Sequence, residues 1–196
     1  MNYTPVPGDI LVFKKKQGFD PIGSFITSEE RDTDVCHVAF VGNPEILTGE
    51  PLIWTTGAIE GIRYGYTNAE YLKGRDFYVC RYDNLTPNQM GLIVNAAWKF
   101  YLELYGFHKL AILILKSRFG GVVQQLYPWP SGLKIHNPFC SEAVAACFWE
   151  AGLQICHYDS EDTVWKKEPS AITPANILTY AQMKNTPLSV IQEVQG

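Results

Sequence analysis

The chain has 196 residues, 46% of them hydrophobic and 13% aromatic, which is enough to bury the core of one domain. Its 16 basic and 20 acidic residues give a net charge of −4, and the longest basic run is Lys14-Lys15-Lys16, so nucleic-acid binding is not indicated. The first nine residues lack the basic and apolar segments of a signal peptide, and the longest apolar run, 110–115, is too short to cross a bilayer. These features predict a cytoplasmic protein with no integral membrane segment.

The cysteines indicate the same compartment. There are five, an odd number without a Cys-x-x-Cys pair, and several lie within apolar runs. Disulfide frameworks belong to oxidising compartments and usually use an even number of cysteines. We therefore expect free thiols at positions 36, 80, 140, 147 and 156.

In chain order, apolar runs bounded by turn residues predict strands at 10–13, 36–41, 52–56, 59–64 and 77–82. Helical patterns and caps predict helices at 20–30, from 87 to about 104, at 107–118, after Asn137 and after Thr173, with a helical turn at 68–72. Residues 119–136 are predicted to be an irregular loop that leads into the helix after Asn137. Strands first and helices later predict an α+β fold with a largely antiparallel sheet.

The segment from Asn137 to Gly152 is predicted to place a thiol in the first turn of a helix. Asn137 is a favourable N-cap, Pro138 a favourable first helical residue, and Gly152 a favourable C′ residue. Cys140 then lies near the third helical position, where unpaired backbone N–H groups and the helix dipole favour a thiolate and could stabilise an oxyanion.

A purely structural interpretation of Cys140 must be weighed against this one. Apolar residues recur at helical spacing along this helix, and a buried cysteine on such a stripe is usually inert. That interpretation suffices for Cys147. For Cys140, a catalytic role requires a base from elsewhere in the chain.

Four histidines are candidates for this base. His136 is close to Cys140 in sequence but is turned away by the cap, and His108 and His157 lie in polar surroundings. His37 lies within an apolar strand, where an imidazole must be paired to offset its desolvation. It is either a satisfied core histidine or a base.

A metal site is a weaker alternative. Cys36 and His37 are adjacent in a strand and point to opposite faces, so they do not easily bind one ion. Cys156 and His157 could do so, but their spacing matches no standard zinc pattern. No metal and no cofactor is predicted.

Several motifs carry a resemblance over residues 7–178. In order they are Gly-Asp-Ile-Leu at 8–11, His-Val-Ala-Phe-Val-Gly at 37–42, Gly-Ile-Arg at 61–63, Tyr-Leu at 71–72, Arg81, Leu-Thr-Pro-Asn-Gln at 85–89, Phe-Cys-Ser-Glu-Ala-Val at 139–144 and Thr-Pro-Ala-Asn at 173–176. This order resembles the circularly permuted papain-like cysteine hydrolases of the NlpC/P60 superfamily, in the branch of YiiX-like proteins and lecithin:retinol acyltransferase relatives. The resemblance implies one domain over 1–196, with a core at about 7–178 and a tail at 179–196. It also implies a largely antiparallel sheet or small barrel packed against helices.

By this resemblance Cys140 matches the nucleophile and His37 the base, while Asp9 matches a position in turn architecture. Family members often carry a third polar group on the next strand, which here reads Ile-Trp-Thr-Thr-Gly at 53–57. Thr55 is our choice for that group. The open alternatives are Trp54, Thr56, Glu50 and Glu60.

The predicted activity is a thiol-dependent hydrolase that cleaves an amide or acyl ester through a covalent acyl-enzyme. The resemblance implies a peptide-like, cell-wall-derived or lipid acyl substrate. Two alternatives are an acyltransferase that uses lipid or amine acceptors, and a catalytically weak binding module that retains the fold. The aromatic loop 127–130 is predicted either to form one wall of the substrate groove or to be pinned by its own buried rings.

Overall fold

The computed structural model of the chain describes residues 3–15, 34–44, 48–57, 61–67, 71–100, 140–156 and 172–196. Within these ranges it contains strands and helices in the following order: β1 (Ile10–Lys14), β2 (Val35–Pro44), β3 (Pro51–Gly57), β4 (Gly61–Thr67), β5 (Phe77–Tyr82), α1 (Pro87–Lys99), α2 (Cys140–Glu150), α3 (Pro174–Gln182) and β6 (Leu188–Val194). The predicted helices at 20–30 and 107–118 and the loops at 119–136 and 127–130 lie outside the described residues.

The strands form one six-stranded sheet in the order β4-β3-β2-β1-β5-β6. Every neighbouring pair is antiparallel, so the predicted α+β class with an antiparallel sheet is confirmed. Strand β1 lies at the centre, with Phe13 opposite His37 of β2 on one side and opposite Phe77 of β5 on the other.

The two faces of the sheet have separate apolar clusters, as alternation along strands requires. One face, called here the helix face, packs against all three helices through residues such as Val12, Val38, Phe40, Val144 and Phe148. The opposite face carries Leu11, Phe13, Ala39, Val41, Ile53, Phe77 and Val79, which pack with Tyr71 and Leu72 from the segment between β4 and β5.

A buried carboxylate joins the turn before β1 to the centre of the sheet. Asp9 is fully buried, and it accepts hydrogen bonds from Arg81 Nε at 2.6 Å and Nη2 at 2.9 Å, from the Tyr3 hydroxyl at 2.7 Å and from the Val6 amide at 3.0 Å. Gly8 precedes it with φ +92°, a conformation that favours glycine. The expected role of Asp9 in turn architecture therefore agrees with its contacts.

Local sequence signals determine the helix ends. Thr86 and Thr173 cap α1 and α3, and Gln89 and Asn176 complete reciprocal capping boxes. Gly152 adopts φ +72° just after α2, where the Leu153 amide bonds the Phe148 carbonyl. These ends were predicted from the sequence and are confirmed.

The ends of α1 and β2 differ from the sequence predictions. Helix α1 ends at Lys99 instead of near 104, because the Phe100 amide turns back to bond the Ala97 carbonyl. Strand β2 continues through 42–44 instead of ending there. Gly42 is a glycine because a Cβ atom would lie 2.6 Å from Trp54 Nε1, and not because it ends the strand.

Strand β6 was not predicted at all. From Leu188 to Val194 the residues are in turn buried, half-buried, half-buried, exposed, half-buried, exposed and buried. The strand therefore lacks the alternation of buried and exposed residues by which a strand is recognised. It pairs with β5 from Phe77↔Val194 to Tyr82↔Leu188, and this places part of the predicted tail in the sheet.

In the part of the chain that the structure describes, no helix is long and apolar enough to cross a membrane.

The buried ion pair gives a stability prediction. Replacing Arg81 by Met leaves the Asp9 carboxylate buried without a cation, so we expect the free energy of unfolding to fall by about 3 kcal/mol in urea titrations. Lys99→Met is the matched control, because it breaks the pair with Glu150 whose side chains are 62% and 47% exposed. The control should lose less than about 1 kcal/mol. Equal losses in the two variants would contradict a special role for Asp9.

Candidate active site

His37 lies in β2 beside an irregularity in the pairing with β1. Phe13 pairs with His37 but Lys14 pairs with Val35, so Cys36 is an extra residue in β2. The His37 ring lies 5.7 Å from the Phe13 ring, whose atoms belong to the opposite-face cluster. His37 therefore points away from the helix face.

Two hydroxyl groups meet at one nitrogen of this imidazole. His37 Nε2 is 2.8 Å from Thr55 Oγ1 and 3.1 Å from the Tyr71 hydroxyl, and the two oxygens are 2.7 Å apart. Thr55 and Tyr71 are themselves 6% and 8% exposed, so the two hydroxyls are sheltered from water, whereas His37 is half-buried. Within the described ranges, the hydrogen bonds of the His37 ring all use Nε2, which leaves Nδ1 as the nitrogen available to a reacting group.

The surroundings keep this imidazole neutral. Burial of the ring, with the positive charge of Arg75 as a second cause, lowers the pKa of His37 to about 3. A neutral imidazole can accept a proton at pH 7, whereas an imidazolium cannot. A ring with so low a pKa is a weak proton acceptor, and its environment disfavours a permanent thiolate–imidazolium pair.

Two residues near His37, Tyr71 and Arg75, were not predicted to belong to the site. Tyr71 was noted only as part of the Tyr-Leu motif, and Arg75 was not singled out. The Arg75 guanidinium lies 4.3 Å from the centre of the Tyr71 ring and 5.6 Å from that of Phe13. Both residues come from the segment between β4 and β5, so only the three-dimensional packing brings them to His37.

Cys140 is the first residue of α2 that the structure describes, and it is 2% exposed. Its predicted cap, Asn137 and Pro138, lies outside the described residues. Ser141 and Glu142 follow and are fully buried. Among the residues that the structure describes, Ser141 Oγ is the buried side-chain polar atom without a hydrogen-bond partner.

The structure brings Thr55 into contact with His37. The helix that carries Cys140 and the side chain of His37, however, lie on opposite faces of the sheet. Helix α2 packs on the helix face of the sheet, where Phe148 contacts the Phe40 ring edge-on at 6.0 Å. His37 is turned to the opposite face. The pairing of Cys140 with His37 stays a prediction.

A small cleft lies beside α2. It has room for about one water molecule, and its walls are Phe40, Trp54, Thr55, Ala97, Phe100, Ala143, Val144 and Cys147. Ala143 and Val144 are three and four residues after Cys140, so they lie on the same side of α2 as the thiol. Thr55 both lines this cleft and contacts His37.

The remaining candidates occupy other positions. Trp54 packs against Phe40 and Trp98, on the helix face, and Glu50 is an exposed residue before β3. Thr56 pairs through its backbone with Ile62. Several candidates lie outside the described residues: Glu60, His108, His136 and His157.

The described residues contain no group of three or more His, Cys, Asp or Glu side chains that could hold a metal ion.

Comparisons of the chain with models of protein families, with curated proteins and with solved structures found no match. The papain-like interpretation therefore depends on the motifs and on the geometry of the site.

The lowered pKa of His37 predicts how stability depends on pH. The unfolded chain protonates this histidine near pH 6.5, but the folded state resists protonation down to about pH 3. Its stabilising contribution is therefore complete above pH 6.5 and is lost as the pH falls from 6.5 towards 3. In urea titrations, the wild type should lose up to about 2 kcal/mol more than His37→Gln between pH 7 and pH 5. Parallel pH profiles of the two proteins would contradict the buried neutral state.

Proposed function

We propose that this protein is a thiol-dependent hydrolase with a permuted papain-like fold, in which Cys140 is the nucleophile and His37 the general base. The substrate carries an amide or acyl ester bond, of the peptide-like, cell-wall-derived or lipid acyl type. The reaction passes through a covalent acyl-enzyme and needs no cofactor.

The observation that carries this proposal is the His37 imidazole within an apolar strand, held at Nε2 by Thr55 and Tyr71. An apolar strand rarely contains a histidine without a partner, and here both partners are neutral hydroxyls. This arrangement orients the ring but keeps its charge low. It leaves Nδ1 for proton transfer, as a base that acts on a thiol requires.

The cleft beside α2 is in contact with Thr55, the hydroxyl partner of His37. Phe148 packs against Phe40, and the cleft beside Ala143 and Val144 reaches Thr55, the partner of His37. Moving back along α2 from Phe148 to Cys140 covers about 12 Å. The proposal requires that this start of α2 lies at the end of β2 that carries His37.

The proposed reaction follows from these roles. The Cys140 sulfur forms a bond to the carbonyl carbon while its proton passes to His37 Nδ1, and backbone N–H groups at the start of α2 stabilise the oxyanion. His37 then gives the proton to the leaving nitrogen or oxygen as that bond breaks, which yields a thioester. Water attacks the thioester with His37 again as base, and the Cys140 thiol is released.

One observation favours a binding module as the second candidate. The partners of His37 are hydroxyls, which stabilise an imidazolium less than a carboxylate does, and Arg75 opposes that charge. An acyltransferase would use the same first half of the reaction and differ only in the acceptor of the acyl group.

The first test is selective labelling. Iodoacetamide followed by peptide mass spectrometry should modify Cys140 faster than the other cysteines at pH 7. Burial raises the pKa of Cys156 to about 11, that of Cys80 to about 12 and that of Cys147 further, so these thiols stay protonated. Cys36 is only half-buried, so the assay uses Cys36→Ser as background. His37→Ala should slow the labelling of Cys140 at least about tenfold.

The labelling result separates the candidate functions. If Cys140 is unreactive in the folded protein, or if His37→Ala leaves its rate unchanged, the hydrolase proposal is wrong and the binding module is favoured. Unfolding the protein in urea should make all the thiols reactive, which verifies that the reagent reports on the folded site.

A second test concerns the hydroxyl pair. Thr55→Val and Tyr71→Phe each remove one hydroxyl from His37 Nε2 with little change in shape, and each should slow the labelling of Cys140 about threefold to tenfold. Since the two hydroxyls also contact each other, the double variant should lose less than the product of the single effects. Thr48→Val, in an exposed position, is the matched control. Effects that simply multiply would show that the two hydroxyls act independently.

A further inference from the structure

Arg75 is held in a defined place at the edge of the His37 cluster. Its guanidinium lies over the Tyr71 ring at 4.3 Å, and that ring meets Phe13 edge-on with centres 5.5 Å apart. The hydroxyl of the same Tyr71 is 3.1 Å from His37 Nε2. One aromatic ring thus carries the cation on its face and the imidazole at its hydroxyl.

This cation has no anionic partner in the described part of the chain. The ion pairs there are Lys14–Asp34, Lys14–Glu193, Arg81–Asp9 and Lys99–Glu150. The neighbouring Asp76 carboxylate accepts instead from the Gly196 amide at 2.9 Å. Arg75 is exposed, so its N–H donors are open to a ligand from solvent.

We propose that Arg75 is a recognition residue for a carboxylate group on the ligand that reaches His37. A guanidinium presents a planar fork of donors that matches a carboxylate, and stacking on an aromatic ring limits its orientations before the ligand arrives. The substrate class is thereby narrowed to molecules with a carboxylate near the bond that is cleaved, such as an acylated amino acid or a peptide end. In its catalytic aspect the inference rests on the proposed function.

A ligand carboxylate bound to Arg75 would also change the pKa of His37. In the empty site this charge is one cause of the low pKa of His37. A bound carboxylate would offset it and so make the imidazole a better proton acceptor when substrate is present. Lys73 lies on the same turn and is equally exposed, but no aromatic ring is stacked on it within the described residues, so it serves as the matched control.

The first experiment compares two reagents that differ in one charge. Iodoacetate and iodoacetamide both alkylate a thiolate with loss of iodide, but only iodoacetate carries a carboxylate. In the Cys36→Ser background, the ratio of the iodoacetate rate to the iodoacetamide rate at Cys140 should fall about fivefold in Arg75→Gln. Arg75→Lys should retain part of the preference, and Lys73→Gln should retain all of it. An unchanged ratio in Arg75→Gln overturns the inference.

The second experiment does not depend on Cys140. The His37 ring resonances are followed by NMR during titration with N-acetylglycine and with its neutral amide at pH 7. A saturable shift with N-acetylglycine alone, lost in Arg75→Gln and kept in Lys73→Gln, supports the carboxylate site even if Cys140 proves unreactive. The absence of a saturable shift, or equal shifts with both compounds, overturns it. Equal thermal unfolding of the variants verifies that each remains folded.

Discussion

The structure depends on one buried carboxylate at the centre of its sheet. Asp9 accepts four hydrogen bonds, two of them from Arg81 of β5, and its own backbone carbonyl accepts from the Val41 amide of β2. One residue therefore connects the turn before β1 with both strands beside β1. Because a lone buried charge is so unfavourable, alternative registers of these strands that separate Asp9 from Arg81 are strongly excluded. The position of His37 in β2 follows from this register.

The site that results has an unusual balance of charge. A papain-like reaction needs an imidazole that accepts a proton and then holds a positive charge briefly. Here two hydroxyls orient the ring, but no carboxylate within the described residues contacts it, and Arg75 lies nearby. In the proposed reaction, His37 would therefore act as a base only while the substrate reacts, and a group that neutralises Arg75 would control its reactivity.

The sequence predicted features that depend on local chemistry. Capping boxes at Thr86 and Thr173 and the glycine after α2 are decided by a few neighbouring residues. It could not decide among Trp54, Thr55 and Thr56, because bulges alter the register on both sides of β3 and so change which residue faces His37. Tyr71 and Arg75 were missed for a related reason, since packing between distant segments brings them to the site.

The pairing of β5 with β6 has a consequence during synthesis. Strand β5 is made about a hundred residues before β6, and until then one of its edges carries unpaired amides and carbonyls. Contacts between such distant segments form slowly, because a long loop must close first. During synthesis the incomplete sheet therefore has an exposed edge strand that can pair with other chains. We expect chaperones that shield extended chain segments to raise the yield of folded protein.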